Sequence, residues 1–286
     1  MAITDAVIPV GGLGTRLLPA TRSQPKEMLP VVDKPVVQYV TEELARAGMT
    51  RVLFVTGRRK RAIEDHFDAD PELERAAGDR GDPRNGLQML YTRQPRAAGL
   101  GDALGYAAGF AERRGVVVAL GDTIIVPPPA PAVGIVRRLV DAYERSGACA
   151  ALAVEEVDTQ AVSRYGIVTP TAEALGDGVL EIRDVVEKPR PDEVASRLAI
   201  AARYVVGPDV FEALTDTPPD DSGEVQLTDA FRALLASGRR IVAVPLAPGE
   251  RRLDIGTVES YCRAFLELAL ADPRIGASLR AALHDA

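Results

Sequence analysis

A short apolar run, Ala6-Val7-Ile8-Pro9-Val10, empties into Gly11-Gly12-Leu13-Gly14-Thr15-Arg16, and ten residues after the arginine stands Lys26 in Pro25-Lys26-Glu27-Met28-Leu29-Pro30. Three glycines within four positions let the backbone turn tightly and bring bare N–H groups against an anion. Arg16 and Lys26 add full positive charge beside that turn, where the phosphates of a nucleotide would lie. The two prolines that bracket Lys26 are poor helix material, so this segment reads as an ordered loop that positions the lysine. Two other glycine motifs are excluded. The dinucleotide fingerprint needs G-x-G-x-x-G opening a helix, and no third glycine stands in place here. The P-loop needs Gly-Lys before Ser or Thr, and the chain has no Gly-Lys pair.

Apolar runs over 6–10, 51–55, 87–91 and 116–120 read as strands, with helical periodicity over 36–47, 60–67 and 100–113 between them. This alternation predicts an α/β fold: a doubly wound, mostly parallel, Rossmann-like sheet with helices on both faces. Strands over 150–155, 166–169, 179–186, 199–206 and 241–245 widen the sheet, with helices over 135–144, 227–235 and 258–270. The polar, Gly-rich stretch 68–86 reads as a mobile surface loop, and the Pro-rich stretch 127–131 as a stiff spacer. Four strand ends carry the glycine turn, Thr56-Gly57-Arg58, Arg93-Gln94 and Gly121-Asp122. Ligands in such sheets sit at the carboxyl ends of strands, so these positions can converge on one crevice.

Charge and composition exclude several classes. A net charge of −7 over 286 residues argues against a nucleic-acid binder or a protein of acidic membranes, which would need a broad basic face. No apolar run reaches the roughly 18 residues that span a bilayer. No signal segment precedes the first strand, so a cytoplasmic protein is expected. Cys149 and Cys262 make neither a disulfide framework nor a metal spacing, and His66 and His284 are the only histidines.

The segments Gly11 to Arg16, Pro25 to Pro30, Asp33-Lys34-Pro35 and Gln38-Tyr39 resemble the signature of bacterial sugar-1-phosphate nucleotidylyltransferases. Later segments keep the order of that family. They are Ala62-Ile63-Glu64-Asp65-His66-Phe67, Arg93-Gln94, Tyr165-Gly166-Ile167-Val168, Val186-Glu187-Lys188-Pro189, Gln226-Leu227-Thr228-Asp229 and Asp254-Ile255-Gly256. The match spans about residues 4–270 and is closest to the members that use UTP and glucose 1-phosphate. It implies a nucleotidyltransferase-type mixed sheet in one domain over 1–286. Within it, a nucleotide-binding half over 1–126 and a sugar-phosphate-binding half over 132–257 precede a C-terminal helical segment over 258–286. Relatives assemble as homodimers or homotetramers, which the resemblance extends to this chain.

The implied reaction is attack of a sugar-phosphate oxygen on the α-phosphorus of a nucleoside triphosphate, with pyrophosphate leaving. Two polyanions must be brought together, so charge screening and alignment dominate. The attacking phosphate is already ionised, and the scarcity of histidine fits the absence of a strong general base. Asp122 follows an apolar strand through Gly121, and Asp254 sits among alternating apolar neighbours before Gly256. The resemblance assigns both to Mg²⁺; the residues alone also allow Asp122 to cap a turn and Asp254 to cap the last helix. Gly11, Gly12, Gly14, Thr15, Arg16 and Lys26 are the expected triphosphate contacts, with Arg16, Lys26 and Lys188 the catalytic cations. Gln94 is the expected base reader, because an amide complements the imide edge of uracil or thymine, and Gly99 would let that edge approach the backbone. Lys188 would hold the sugar phosphate, Glu187 would accept from sugar hydroxyls, and Gly166 would give the ring close access.

Four positions depart from the family pattern: Asp102, Thr123, Arg197 and Ala202 stand where relatives carry other residues. The departures at Arg197 and Ala202 bear on the identity of the sugar. A dTTP-using enzyme and a non-catalytic nucleotide-sugar-binding protein of the same fold are the alternatives.

Overall fold

Strand β1 (Asp5–Pro9) shows how the core is built. Ala6 and Ile8 point to one face of a sheet and Val7 to the other, and all three are fully buried. Alternating apolar residues with both faces covered is the signature of a central strand in a three-layer α/β/α arrangement. The computed structural model describes residues 2–78, 82–176 and 178–284.

Short strands β2 (Pro30–Val31) and β3 (Lys34–Pro35) pair with each other. The main sheet adds β4 (Arg51–Thr56), β5 (Gln88–Arg93) and β6 (Val116–Ala119). A separate two-stranded ladder joins β7 (Thr123–Val126) to a strand near the C-terminus. The sheet is completed by β8 (Ala150–Glu156), β9 (Gly166–Ala174), β10 (Leu180–Glu187), β11 (Leu198–Val206) and β12 (Ile241–Pro245). The partner of β7 is β13 (Arg251–Asp254), in antiparallel register.

The nine-stranded order is β5-β4-β1-β6-β11-β8-β12-β10-β9. Pairs β4–β5, β1–β4, β1–β6 and β8–β12 are parallel, whereas β11 runs antiparallel to both β6 and β8. The sheet therefore continues from the first half of the chain into the second through β11. A bulge between Ile200 and Tyr204 bends this strand. Ala202 there has φ of 59°, a left-handed backbone that costs a non-glycine residue about 1–2 kcal/mol.

One face is covered by α1 (Val36–Arg46) and α2 (Arg61–Phe67), followed in the chain by an exposed α3 (Pro71–Ala77). The other face begins with α4 (Gly99–Gly105) and α5 (Ala108–Ala111). Helix α6 (Ile135–Ser146) returns to the first face, and α7 (Pro208–Asp216) and α8 (Leu227–Ala236) complete the second. Helices α9 (Val258–Ala271) and α10 (Gly276–His284) close the described chain. Among the described residues, no helix is long and apolar enough to cross a membrane.

Two expectations change and one alternative falls. The helix expected over 100–113 is two helices broken at Tyr106 and Ala107. The stretch 68–86 contains α3, started by Asp70, whose Oδ1 accepts from Glu72 N and Leu73 N; its residues 79–81 lie outside the described residues. The N-cap of α9 is Thr257, in a capping box with Ser260, so Asp254 caps no helix.

Candidate active site

The parallel register of β1, β4, β5 and β6 brings their carboxyl ends to one edge, as a doubly wound sheet requires. After β1 the chain turns through Gly14, at φ of 65°, and Thr21 Oγ1 donates to its carbonyl at 2.7 Å. Thr15 and Arg16 are exposed at this turn. Gly11 lies against the end of β5: a Cβ there would stand 2.5 Å from Gln94 Oε1. Lys26 crosses the same turn, its Nζ 3.5 Å from where a Gly12 Cβ would sit.

Lys26 ends on a carboxylate. Its Nζ donates to Asp122 Oδ2 at 2.5 Å, and the two side chains are only 16% and 20% exposed. Desolvation opposes the ammonium, but Asp122, then Glu27 and Asp254, outweigh it and hold Lys26 above its ordinary value. Burial likewise opposes ionisation of Asp122, and the Lys26 ammonium reverses that, leaving the carboxyl below its usual range. Asp254 is the β13 partner of Thr123, next to Asp122, and Ile255 N donates to the Asp122 carbonyl at 3.2 Å. Burial and then the Asp122 charge push the Asp254 carboxyl up, with Arg252, Lys26 and Arg16 pulling the other way. Lys26 is thus a largely interior charge, positioned by its loop.

Two hard-oxygen carboxylates, Asp254 at the end of the β7–β13 ladder and Asp122 just before it, one burdened by the other's charge, form a donor set suited to a cation. Among the described residues, no group of three or more His, Cys, Asp or Glu side chains joins them. That set fits an ion such as Mg²⁺, which binds through one or two carboxylates and takes substrate phosphates and water for the rest.

The loop carrying Lys26 is pinned from below. Lys60 Nζ donates to Glu27 Oε2 at 2.7 Å, and the side chains are 5% and 2% exposed. Burial pushes the Glu27 carboxyl up and the Lys60 ammonium down, and each charge offsets part of that for the other. A second pin lies behind Asp122. Arg203, fully buried, donates to Glu43 Oε2 at 2.7 and 3.1 Å, to the Thr123 carbonyl at 2.9 Å and to the Ala202 carbonyl at 2.9 Å. Sequence reasoning missed both pins. Arg203 carried a signal, a charge inside an apolar strand, which demands a buried partner.

Gln94 is buried at the end of β5, and its Nε2 donates to Asp102 Oδ2 at 2.6 Å and to the Gly99 carbonyl at 3.2 Å. Gly99 has a packing reason of its own, since a Cβ would stand 2.5 Å from the Val225 carbonyl oxygen.

The second half contributes the end of β10. Glu187 Oε2 accepts from Thr228 Oγ1 at 3.1 Å, and its Oε1 lies 3.1 Å from Lys188 Nζ. Lys188 is 55% exposed. Gly166 packs beneath them, where a Cβ would meet Thr228 Cγ2 at 2.9 Å and Glu187 Oε2 at 3.2 Å; that close packing requires the glycine even before any ligand is considered. Arg252 ties the two sides together. It donates to Glu155 Oε1 at 2.5 Å, and its guanidinium lies 3.9 Å over the Tyr165 ring. Arg197, just before β11, is paired with Glu156 at the end of β8. A cavity of about 340 Å³ between α1 and α6 contains none of the candidate site residues.

A nucleotidyl transferase family model matches residues 5–270. The chain belongs to this nucleotidyl transferase family. A putative UTP–glucose-1-phosphate uridylyltransferase of Methanocaldococcus jannaschii is 41% identical over 276 residues, 93% of each chain. A UDP-glucose pyrophosphorylase solved in complex with UDP-glucose is 36% identical, with a TM-score of 0.83 over 92% of this chain and 97% of that one. A UTP-bound pyrophosphorylase from Acinetobacter baumannii, 31% identical, superposes with a TM-score of 0.85 over 98% of each chain. The α/β sheet with helices on both faces expected from strand–helix alternation, and the mixed sheet implied by the resemblance, are the fold observed; parallel pairing is confined to β5-β4-β1-β6 and β8–β12, because β9, β10 and β11 join the sheet antiparallel.

Proposed function

We propose that this nucleotidyl transferase moves a uridylyl group from UTP to glucose 1-phosphate, giving UDP-glucose and pyrophosphate. The observation that carries the reading is the Lys26–Asp122–Asp254 cluster at the carboxyl edge of the sheet, beside the glycine turn. The named activities of relatives over nearly the whole chain length supply the substrates. In this reading a phosphate oxygen of the sugar forms a bond to the α-phosphorus while the bond to the β-phosphate bridging oxygen breaks.

Backbone N–H groups of Gly11 to Thr15, with Arg16 and Lys26, hold the triphosphate and take up charge on the leaving pyrophosphate. Lys188 holds the sugar phosphate, while Glu187 and the backbone at Gly166 face the ring hydroxyls. Gln94 reads the base. Asp122 and Asp254 would hold Mg²⁺, which when bound supplies charge neutralisation to the phosphates.

The test is pyrophosphate release from a matrix of UTP, dTTP, CTP, ATP and GTP against glucose, galactose, mannose and glucosamine 1-phosphates. UTP with glucose 1-phosphate should give the highest kcat/KM. A dTTP optimum would make the chain a thymidylyltransferase, another sugar would move the acceptor assignment, and no release from any pair would leave only a binding protein.

A further inference from the structure

Asp102 stands on the first turn of α4, directly against the side-chain amide of Gln94. A primary amide has a donor end and an acceptor end of nearly the same shape, so its neighbours decide which way it faces. Here the neighbours are the Asp102 carboxylate at 2.6 Å and the Gly99 carbonyl at 3.2 Å. Both only accept. The NH₂ end must therefore face them, and Oε1 turns the other way, against the Cα of Gly11 at the phosphate turn.

We propose that Asp102 is the positioning residue for base choice: by holding the Gln94 NH₂ group it presents Oε1 to the nucleobase. This rests on the reading of Gln94 as the base reader. An acceptor on the Gly11 side matches the N3–H of a uracil or thymine seated at that turn. Cytosine offers a lone pair at N3, which would face Oε1 with no proton between them. A flipped amide would pair with cytosine, but the flip would set Oε1 against two acceptors in a buried place, a cost that Asp102 makes prohibitive. The family pattern carries other residues at position 102, so the device belongs to this chain's own Asp102–Gln94 contact.

The experiment compares wild type with Asp102→Asn, measuring kcat/KM for UTP and CTP with glucose 1-phosphate and the rise in Tm that each nucleotide produces. Asparagine keeps the size of aspartate and can donate as well as accept, so Gln94 can turn over. The UTP/CTP ratio should fall at least about tenfold, the effect of one charge-assisted hydrogen bond, in both readouts. Asp102→Ser, which can also donate, should shift the ratio in the same direction should the asparagine variant fold poorly. An unchanged ratio with both nucleotides weakened alike would reduce Asp102 to packing and overturn the proposal. Gln94→Ala separates the two levels. If that variant keeps the wild-type ratio, or wild type shows no preference for UTP over CTP, the base-reader assignment fails and the Asp102 proposal falls with it. If Gln94→Ala abolishes the preference and Asp102→Asn leaves it intact, the Asp102 proposal alone is refuted.

Discussion

Replacing Arg203 by Met removes the buried cation paired with Glu43, and the consequence can be worked from the contacts. Arg203 has no exposed surface and Glu43 is only 12% exposed, so water can replace little of what the pair provides. Arg203 donates four hydrogen bonds: two to Glu43 Oε2 and one each to the carbonyls of Thr123 and Ala202. Among the described residues Glu43 Oε1 has no hydrogen-bond partner, so the variant would leave both carboxylate oxygens without one. Breaking a buried pair from one side costs about 3–5 kcal/mol. An unfolding entropy of about 2.1 cal/mol/K per residue gives about 0.6 kcal/mol/K for this chain, so Tm should drop by about 5–8 °C.

The double variant Arg203→Met, Glu43→Leu should recover at least about half of that loss, since an apolar replacement of a buried ion pair is often near neutral. The Thr123 carbonyl loses its Arg203 partner and the Ala202 carbonyl keeps only Leu120 N, which leaves the recovery incomplete. Calorimetry of wild type, both single variants and the double variant yields the coupling directly. A Tm for Arg203→Met within about 1 °C of wild type, or a double variant no better than the single, would refute the reasoning.

Asp122→Asn and Asp254→Asn should each lower turnover at saturating Mg²⁺ by at least about a hundredfold while the fold is kept, and near-normal rates in both would end the two-carboxylate metal assignment. Lys26→Ala frees a part-buried Asp122, so Tm should fall in a chelator and recover in part with Mg²⁺ while turnover stays low; equal losses with and without the ion would speak against metal at Asp122. Burial pushes the His66 imidazole below its ordinary value, with Nε2 3.0 Å from Gln38 Oε1. The unfolded chain then binds the proton more readily, so acidification from about pH 6.5 toward the depressed folded value should destabilise the protein, and stability should rise again with pH. Tm measured from pH 7.5 to 5.5 should show a smaller acid loss in His66→Gln, and an unchanged slope would exclude His66 as its source.

The sheet was legible in the sequence wherever a strand is an apolar run. Val116-Val117-Val118-Ala119 and Ile241-Val242-Ala243-Val244 are buried on both faces and announce themselves by composition alone. Strands β7 and β13 did not, because they lie outside the main sheet and each takes its identity from a partner far away in sequence. Helix α3 was hidden for the opposite reason, being too exposed to carry an apolar stripe. The same division holds at the site. Gly11, Arg16, Lys26, Gln94, Asp122 and Asp254 were visible as residue types in suggestive places. What orients them was not: Glu27 meets Lys60 across 33 residues, and Arg203 meets Glu43 across 160. The glycines were half legible. Gly99 and Gly166 are each required by protein packing, against Val225 and against Thr228 with Glu187.

The placement of charge separates a fixed set from a working set. Glu27, Glu43 and Glu250 are interior carboxylates, each engaged by one cation: Lys60, Arg203 and Arg138. Glu250 also accepts from the backbone N–H groups of Ile135 and Ala247, at 2.8 and 2.7 Å, just before β13. Each pair holds one piece of the crevice: the Lys26 loop, the backbone after Asp122, and the turn that delivers Asp254. An apolar replacement of similar shape could give as much stability, so stability alone does not account for three such pairs. What they add is position, because a hydrogen-bonded charge pair tolerates few alternative geometries and catalytic groups need tolerances of about 0.5 Å. The working charges differ in kind. Arg16 and Lys188 are exposed, and Lys26 and Asp122 satisfy one another across the crevice. On the proposed function, substrate phosphates take Lys26 while the metal takes Asp122, so binding exchanges one ionic partner for another. A pair that is exchanged costs far less to open than a pair that is lost, and the fixed set keeps its geometry while this happens.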